Sequence, residues 1–218
     1  NFFKIKTPNK TMAETIYTYA LTTVARLKAR LGITVSTHDA NFLRYANALT
    51  DFIEMHCNRR FKSTTYTSEV YSARAHNARY VLLKQAPVTS LSVLQYSNGT
   101  PSAKGWTSYG ADDYELCEDG KTGLVRVYGA IPYGTNKIRA TYVAGYLIDF
   151  ANAGTATHTL PADLTDVAER MIAKVFKRRE NEGKESESFD GGNVVWEKYL
   201  SDDDKVILAK YKRVPQFY

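Results

Sequence analysis

The sequence predicts an α+β protein in which a small helical bundle of about four helices carries an inserted antiparallel β module. Apolar residues recur at helical spacing near both ends of the chain, which indicates amphipathic helices. Between them, short alternating runs are separated by turn signals such as Asn98-Gly99, which indicates antiparallel strands. The predicted divisions are an N-terminal arm (1–20), the bundle (21–63 and 160–213), the β module (64–146), a linker (147–159) and a C-terminal tail (214–218).

The first two helices are predicted from apolar spacing and end signals. The first covers residues 21–31 and ends at Gly32, a residue that suits the left-handed position after a helix. The second begins with Ser36 or Thr37 as its cap. One face of this helix is apolar and consists of Phe42, Tyr45, Ala46, Leu49, Phe52, Ile53 and His56.

Two further helices are predicted in the last third of the chain. The third opens at Leu160-Pro161 with the proline in the first turn, where a missing N–H costs nothing. The fourth has Ser201 as its N-cap, carboxylates in its first turn and a body that covers residues 205–211. Pro215 cannot continue this helix, so the tail begins there.

The β module is organised around a corner at Pro87. Residues 80–83 form a short apolar run before the proline, and residues 88–95 alternate after it. A hairpin pairs residues 112–117 with 124–128 across a Gly-containing turn. Residues 137–146 form the last strand, and the number and spacing of strands predict a small antiparallel sheet or barrel.

Composition excludes several classes of protein. No apolar run approaches the roughly 20 residues that cross a bilayer, so no membrane partner is expected. Two cysteines, Cys57 and Cys117, cannot build a disulfide framework or a cysteine-rich zinc site. The sixteen tyrosines suit either strands or protein interfaces, and the sequence leaves both open.

No catalytic or cofactor motif is present. The chain lacks a nucleophile elbow, a phosphate-binding loop, a dinucleotide fingerprint and a zinc-protease signature, and its four histidines are scattered. We therefore expect no enzyme activity and no cofactor. A carboxylate group at 112–119 lacks calcium-loop spacing and is interpreted as the polar face of a strand and its turn.

The positive charge is concentrated in the first 65 residues, which carry ten Lys and Arg against four Asp and Glu, while the whole chain has a formal charge of +6. Two basic groups are candidates for contact with the DNA backbone. The alternative for both is a solvated helix end that complements the helix dipole. The candidates are Arg59, Arg60, Lys177, Arg178 and Arg179.

In the order of its elements and in several short stretches, the chain resembles the head–tail connector (adaptor) proteins of tailed bacteriophages. The likeness covers roughly residues 21–213. The stretches that carry it are LKARLGI (27–33), CNRRF (57–61), LLKQAPVTSL (82–91), DYEL (113–116), GLVRV (123–127), IRATYVAGY (138–146), LPADL (160–164) and LAKYKR (208–213).

The resemblance implies a structural protein of the virion neck, assembled in the host cytoplasm. Connectors form a ring, usually dodecameric, under the portal protein. The ring extends the channel for double-stranded DNA without sequence specificity, and its lower face meets a stopper or tail-completion protein. The family's C-terminal segment reaches the portal, and here that segment is Tyr211, Lys212, Arg213, Val214, Pro215, Gln216, Phe217 and Tyr218.

The chain departs from the connector pattern in two places, because its β region of about 80 residues is larger than the family's short insertion and the arm before Leu21 is extra. An alternative function therefore stays open. The β region could serve as an oligonucleotide platform, with the basic N-terminal surface as the electrostatic footprint of a nucleic-acid-binding module.

Overall fold

A computed structural model of the chain describes residues 15–73, 75–100, 103–179, 186–189, 192–195 and 200–213. The α-helices in this part of the chain are α1 (Val24–Leu31), α2 (Asp39–Cys57), α3 (Ala162–Arg178) and α4 (Asp202–Ala209). The strands are β1 (Thr64–Ala73), β2 (Tyr80–Leu82), β3 (Val88–Tyr96), β4 (Thr107–Ser108), β5 (Tyr114–Leu116), β6 (Leu124–Val127), β7 (Gly134–Ala144), β8 (Ser186–Phe189) and β9 (Gly192–Val195). The predicted α+β class is confirmed.

The strands between the helices form two antiparallel sheets. The larger sheet has the order β1-β7-β3-β4, and the smaller one has the order β2-β6-β5. The predicted hairpin is present as β5 and β6, with Glu115 opposite Arg126. The predicted last strand is β7, which pairs with β1 on one side and with β3 on the other. Strands β8 and β9 form a separate hairpin in a segment where the sequence predicts no strand.

One buried apolar cluster contains residues of both sheets. Along β7 every second side chain is buried, as expected for a strand with one face toward the core. Corresponding residues of β2 and β6 enter the same cluster. Its members are Tyr71, Ala73, Val81, Leu83, Val88, Leu94, Val125, Val127, Ile131, Ile138, Ala140, Tyr142 and Ala144.

Two predicted helix starts are wrong. Helix α1 begins at Val24 rather than at residue 21, because the Thr23 hydroxyl accepts a hydrogen bond from the backbone N–H of Arg26 and caps the helix there. Leu21 instead lies in a bend before the helix, and its N–H donates to the Thr50 hydroxyl at 3.0 Å. Helix α2 begins after His38 without a side-chain cap, so neither Ser36 nor Thr37 fills that role.

The helices pack through two apolar clusters. Around the middle and the C-terminal end of α2, Ile53 and Cys57 contact residues of α3 and Leu208 of α4. Near the N-terminal end of α2, Phe42 packs against Phe176 with 4.7 Å between ring centroids. Helices α2 and α3 are therefore antiparallel. No helix in the described ranges is both long and apolar enough to cross a membrane.

A set of ion pairs joins α1, α3 and α4 on the outside of these clusters. The buried Glu169 carboxylate of α3 accepts from the Thr22 hydroxyl at 3.0 Å and from Arg26 at 2.7 Å. The next residue of α3, Arg170, binds Asp204 of α4 with 2.7 Å between Nη2 and Oδ1. Each pair links helices that are far apart in the sequence, so the pairs fix the packing of the bundle.

Asp204 is the fully buried member of this set. Its carboxylate also accepts from the Ser201 hydroxyl at 2.6 Å, and the Ser201 oxygen in turn accepts from the Asp204 backbone N–H. The predicted Ser201 cap is confirmed. Burial by itself would raise the pKa of the Asp204 carboxyl, but the hydrogen bonds from Ser201 and Arg170 outweigh burial and hold that pKa below its usual range.

We expect Asp204→Asn to lower the free energy of unfolding by about 2–3 kcal/mol at neutral pH, because it removes a buried charge from its hydrogen-bonded cations. Since the folded-state pKa is depressed, the carboxylate stabilises the protein above its unfolded-state pKa of about 4. That stabilisation is lost as the pH falls through the folded-state pKa. Urea unfolding at several pH values should therefore show a flatter acid limb for the variant.

Asp203→Asn is the matched control, because Asp203 lies in the same helical turn but is exposed. It should change the free energy of unfolding by less than about 0.5 kcal/mol. Equal losses in the two variants would show that the helix dipole, rather than the buried contacts, carries the effect.

Candidate functional site at the junction of helices and sheets

The end of α2 is held by one buried carboxylate. Glu54 accepts from the backbone N–H of Phe61 at 2.9 Å through Oε1 and from Arg60 at 2.6 Å through Oε2. Asn58 adopts a left-handed conformation with φ of 52° and caps the helix through its own N–H. These contacts turn the chain sharply out of α2 and into β1.

The turn directs Arg59 inward. Its guanidinium donates to the carbonyl oxygen of Ala86 and lies 5.0 Å from the centroid of the Phe61 ring and 5.6 Å from that of Tyr146. Burial lowers the pKa of Arg59, and the nearby Arg213 cation lowers it further. Contacts of a cation with ring faces and a carbonyl hold the bundle against the segment at 83–87, which we call the strap.

The strap follows β2 and contains the predicted Pro87 corner. Its backbone N–H groups at Lys84 and Gln85 donate to the hydroxyls of Tyr71 and Tyr142, both at 3.3 Å. The side-chain oxygen of Gln85 accepts from the backbone N–H of Arg60 at 3.2 Å. The strap is therefore attached to the larger sheet on one side and to the end of α2 on the other.

The two tyrosines belong to a buried polar group. Tyr71 and Tyr142 donate to the same Glu69 oxygen at 2.6 and 2.8 Å. Burial raises the pKa of both hydroxyls, so they stay protonated and keep their role as donors. The group fixes the position of the strap over the core of the β module.

The C-terminal part of the described chain ends at the same junction. The Arg213 N–H donates to the Cys57 carbonyl at 2.8 Å, and its guanidinium donates to the Thr122 carbonyl at 2.9 Å. The Tyr211 hydroxyl donates to Asp163 at 2.6 Å. Among the residues predicted to bind a portal, Tyr211 and Arg213 are therefore anchored to the subunit and Lys212 is exposed, while 214–218 lie outside the described residues.

The predicted DNA-contacting residues lie in two places that the fold does not bring together. Arg59 and Arg60 follow the C-terminal end of α2, whereas 177–179 lie beside its N-terminal end, since Phe42 contacts Phe176. The 19 residues of α2 separate the groups by about 28 Å along the helix axis. Arg59 is buried, and Arg60 has an exposed side chain that is paired with Glu54. Their role in DNA contact stays a prediction.

A cleft with a volume of about 580 Å³ opens at the junction. It is polar, and the side chain of Met55 at its edge is 74% exposed. Sequence reasoning identified the two arginines of this cleft but not its other residues, because the N-terminal segment, α2 and the strap meet only in the folded chain. The lining residues are Tyr19, Asp51, Glu54, Met55, Asn58, Arg59, Arg60 and Gln85.

The carboxylates at 112–119 lie in the hairpin strand β5 and the turns beside it. Within the described ranges, no group of three or more His, Cys, Asp or Glu side chains is placed to hold a metal ion. The carboxylates at 112–119 have other contacts, since Asp113 accepts from the Gly110 N–H at 2.7 Å and Glu115 accepts from the Tyr128 hydroxyl at 2.7 Å.

The fold and the junction together define a class of subunit. In this class a helical bundle carries a β module, and polar contacts at the junction hold the two parts together. The head completion protein family matches residues 20–214, and the chain belongs to this family. The connector resemblance in the sequence is thereby confirmed at the level of the family.

The fold has a counterpart among solved structures. A chain in a structure described as the neck of an empty GTA particle computed with C6 symmetry is similar over 88% of this chain and 89% of its own length. The TM-score is 0.55 and the sequence identity is 17%, so the likeness is one of fold. A comparison with curated proteins finds no match.

We expect Gly145→Ala to destabilise the junction. Gly145 has a φ of 116°, its N–H donates to the Pro87 carbonyl, and an added Cβ would lie 2.6 Å from the backbone oxygen of Lys62. Since the obstacle is backbone, we expect the free energy of unfolding to fall by about 2–4 kcal/mol in urea titrations.

Gly154→Ala separates the backbone strain of a positive φ from the steric clash of an added Cβ. Gly154 also has a positive φ, of 92°, but its Cβ would have open space. It should cost about 1 kcal/mol. If both variants lose the same amount, the close approach at Lys62 is not what makes Gly145 necessary.

Proposed function

We propose that the protein is a structural component of the neck of a phage-like particle. Copies of it form a ring beneath the portal, extend the DNA channel and join the head to the stopper or tail. The observation that carries this proposal is the family match over residues 20–214. We further propose that the protein has no catalytic role and is incorporated into the virion after synthesis in the host cytoplasm.

A ring is supported by the fold and by the distribution of exposed apolar side chains. A closed ring needs two different surfaces on each subunit, which meet head to tail. Phe52 and Met55 are exposed on α2, whereas Tyr80, Leu82 and Tyr128 are exposed on the smaller sheet. The similar GTA neck has C6 symmetry, and the dodecamer that we propose is compatible with a six-fold axis.

Passage of DNA requires weak contact with phosphates and no reading of bases. A formal charge of +6 on 218 residues supplies moderate attraction. Residues 177–179 and Arg60 are the proposed channel contacts. The Arg179 side chain is held in place by Phe176. Its guanidinium lies 4.2 Å from the Phe176 ring centroid and donates to the Phe176 carbonyl.

The experiment that tests the ring is to mix the purified chain with its portal and to image the complex. We expect subunits in a closed ring on one face of the portal, with a mass by light scattering that corresponds to many copies. A chain that stays monomeric in the presence of the portal would contradict the proposal, whatever its state in isolation.

A second experiment concerns the tail. Deletion of residues 214–218 should weaken attachment to the portal at least about ten-fold, because apolar and aromatic side chains supply much of the free energy of protein interfaces. The thermal unfolding midpoint should stay unchanged. Replacement of the same five residues by Gly and Ser is the matched control for length, and it should weaken attachment as much as the deletion does. Unchanged attachment in the deletion variant would remove the tail from the portal interface.

A further inference from the structure

Two arginines of the junction are bound by carbonyl oxygens rather than by carboxylates. The guanidinium groups of Arg59 and Arg213 are bound to carbonyl oxygens of Ala86, Thr122 and Leu83. Among the described residues, no carboxylate lies within ion-pair distance of either group. The Nε atoms of both arginines are buried and have no hydrogen-bond partner there.

This arrangement is unfavourable in the isolated subunit. A buried charge costs free energy unless an opposite charge and hydrogen bonds compensate it. Burial lowers the pKa of both arginines, and each is bound only by neutral acceptors. By contrast, the buried carboxylates Glu54, Glu169 and Asp204 each have an arginine partner. Among the described residues, Arg59 and Arg213 are therefore cations without a paired carboxylate.

The cleft reaches one of these two arginines, because Arg59 lines it and Arg213 does not, and Asn58 and Gln85 add amide donors. Glu54 already accepts from Phe61 and Arg60, so its oxygens are occupied. Asp51 is exposed and accepts from the Tyr19 hydroxyl at 3.1 Å. The cleft thus has donors for one carboxylate. Because Asp51 and Glu54 formally balance Arg59 and Arg60, it has no net positive charge to compensate a more highly charged group such as a phosphate ester.

We propose that the cleft binds the carboxylate of an Asp or Glu side chain from the protein that docks at this end of the subunit. The inference rests on the proposed function in one respect, namely that this protein is the portal. Continuity with the proposed portal-binding segment (211–218) supports that choice, because the Asn58 side chain donates to the carbonyl oxygen of Arg213, which belongs to that segment.

Met55 allows a test that leaves the charged groups and the amide groups of the cleft in place. Its side chain is 74% exposed, so charged substitutions should leave the fold intact. The direct test is titration with an oligoglutamate peptide, followed by the side-chain amide NMR signals of Asn58 and Gln85. We expect shifts in the wild type, larger shifts in Met55→Lys and none in Met55→Glu.

Val206 provides the matched control, because it is 67% exposed on α4 and does not line the cleft. Val206→Glu and Val206→Lys should behave like the wild type in the peptide titration. Absence of amide shifts in the wild type, or equal shifts in Met55→Glu and Met55→Lys, would overturn the inference.

The same variants are then measured against the portal. Met55→Glu should weaken binding roughly ten-fold at low salt and less at high salt, while Met55→Lys and Asp51→Asn should not weaken it. If the wild type binds the peptide but not the portal, the proposed function fails and the carboxylate site stands. If portal binding is normal and insensitive to charge at residue 55, the site fails and the proposed function stands.

Discussion

The contact on which the rest of the structure depends is the one between the Glu54 carboxylate and the chain that leaves α2. By binding the Phe61 N–H and Arg60 together, this carboxylate sets the direction in which the backbone leaves the helix. Arg59 is thereby placed beneath Ala86, and the strap is held against the bundle. The helices and the sheets each have their own apolar core, but their relative position is determined by these polar contacts.

Apolar periodicity was sufficient to predict the bodies of α2 and α3 and the strands β2, β3, β5, β6 and β7, because each depends on residues close together in the sequence. The start of α1 was missed because the Thr23 cap competes with an apolar pattern that begins earlier. The junction could not be predicted. Arg59 and Ala86 are 27 residues apart, and nothing near either of them in the sequence identifies the other.

The candidate site residues show a second limit of sequence reasoning. The basic groups at 59–60 and 177–179 look equivalent as helix ends in the sequence, but antiparallel packing of α2 and α3 places them at opposite ends of the bundle. The end that contains Arg59 also receives Arg213. One end of the subunit therefore combines the cleft and the junction, whereas the other has a separate basic surface.

The two chain crossings into and out of the β module lie side by side. The Tyr146 N–H donates to the Phe61 carbonyl at 2.6 Å, and the Ser63 N–H donates to the Tyr146 carbonyl at 2.8 Å. An insertion whose ends are adjacent can change in length without moving the host around it. The bundle could thus keep its packing while the module between residues 63 and 146 grew, shrank or was exchanged.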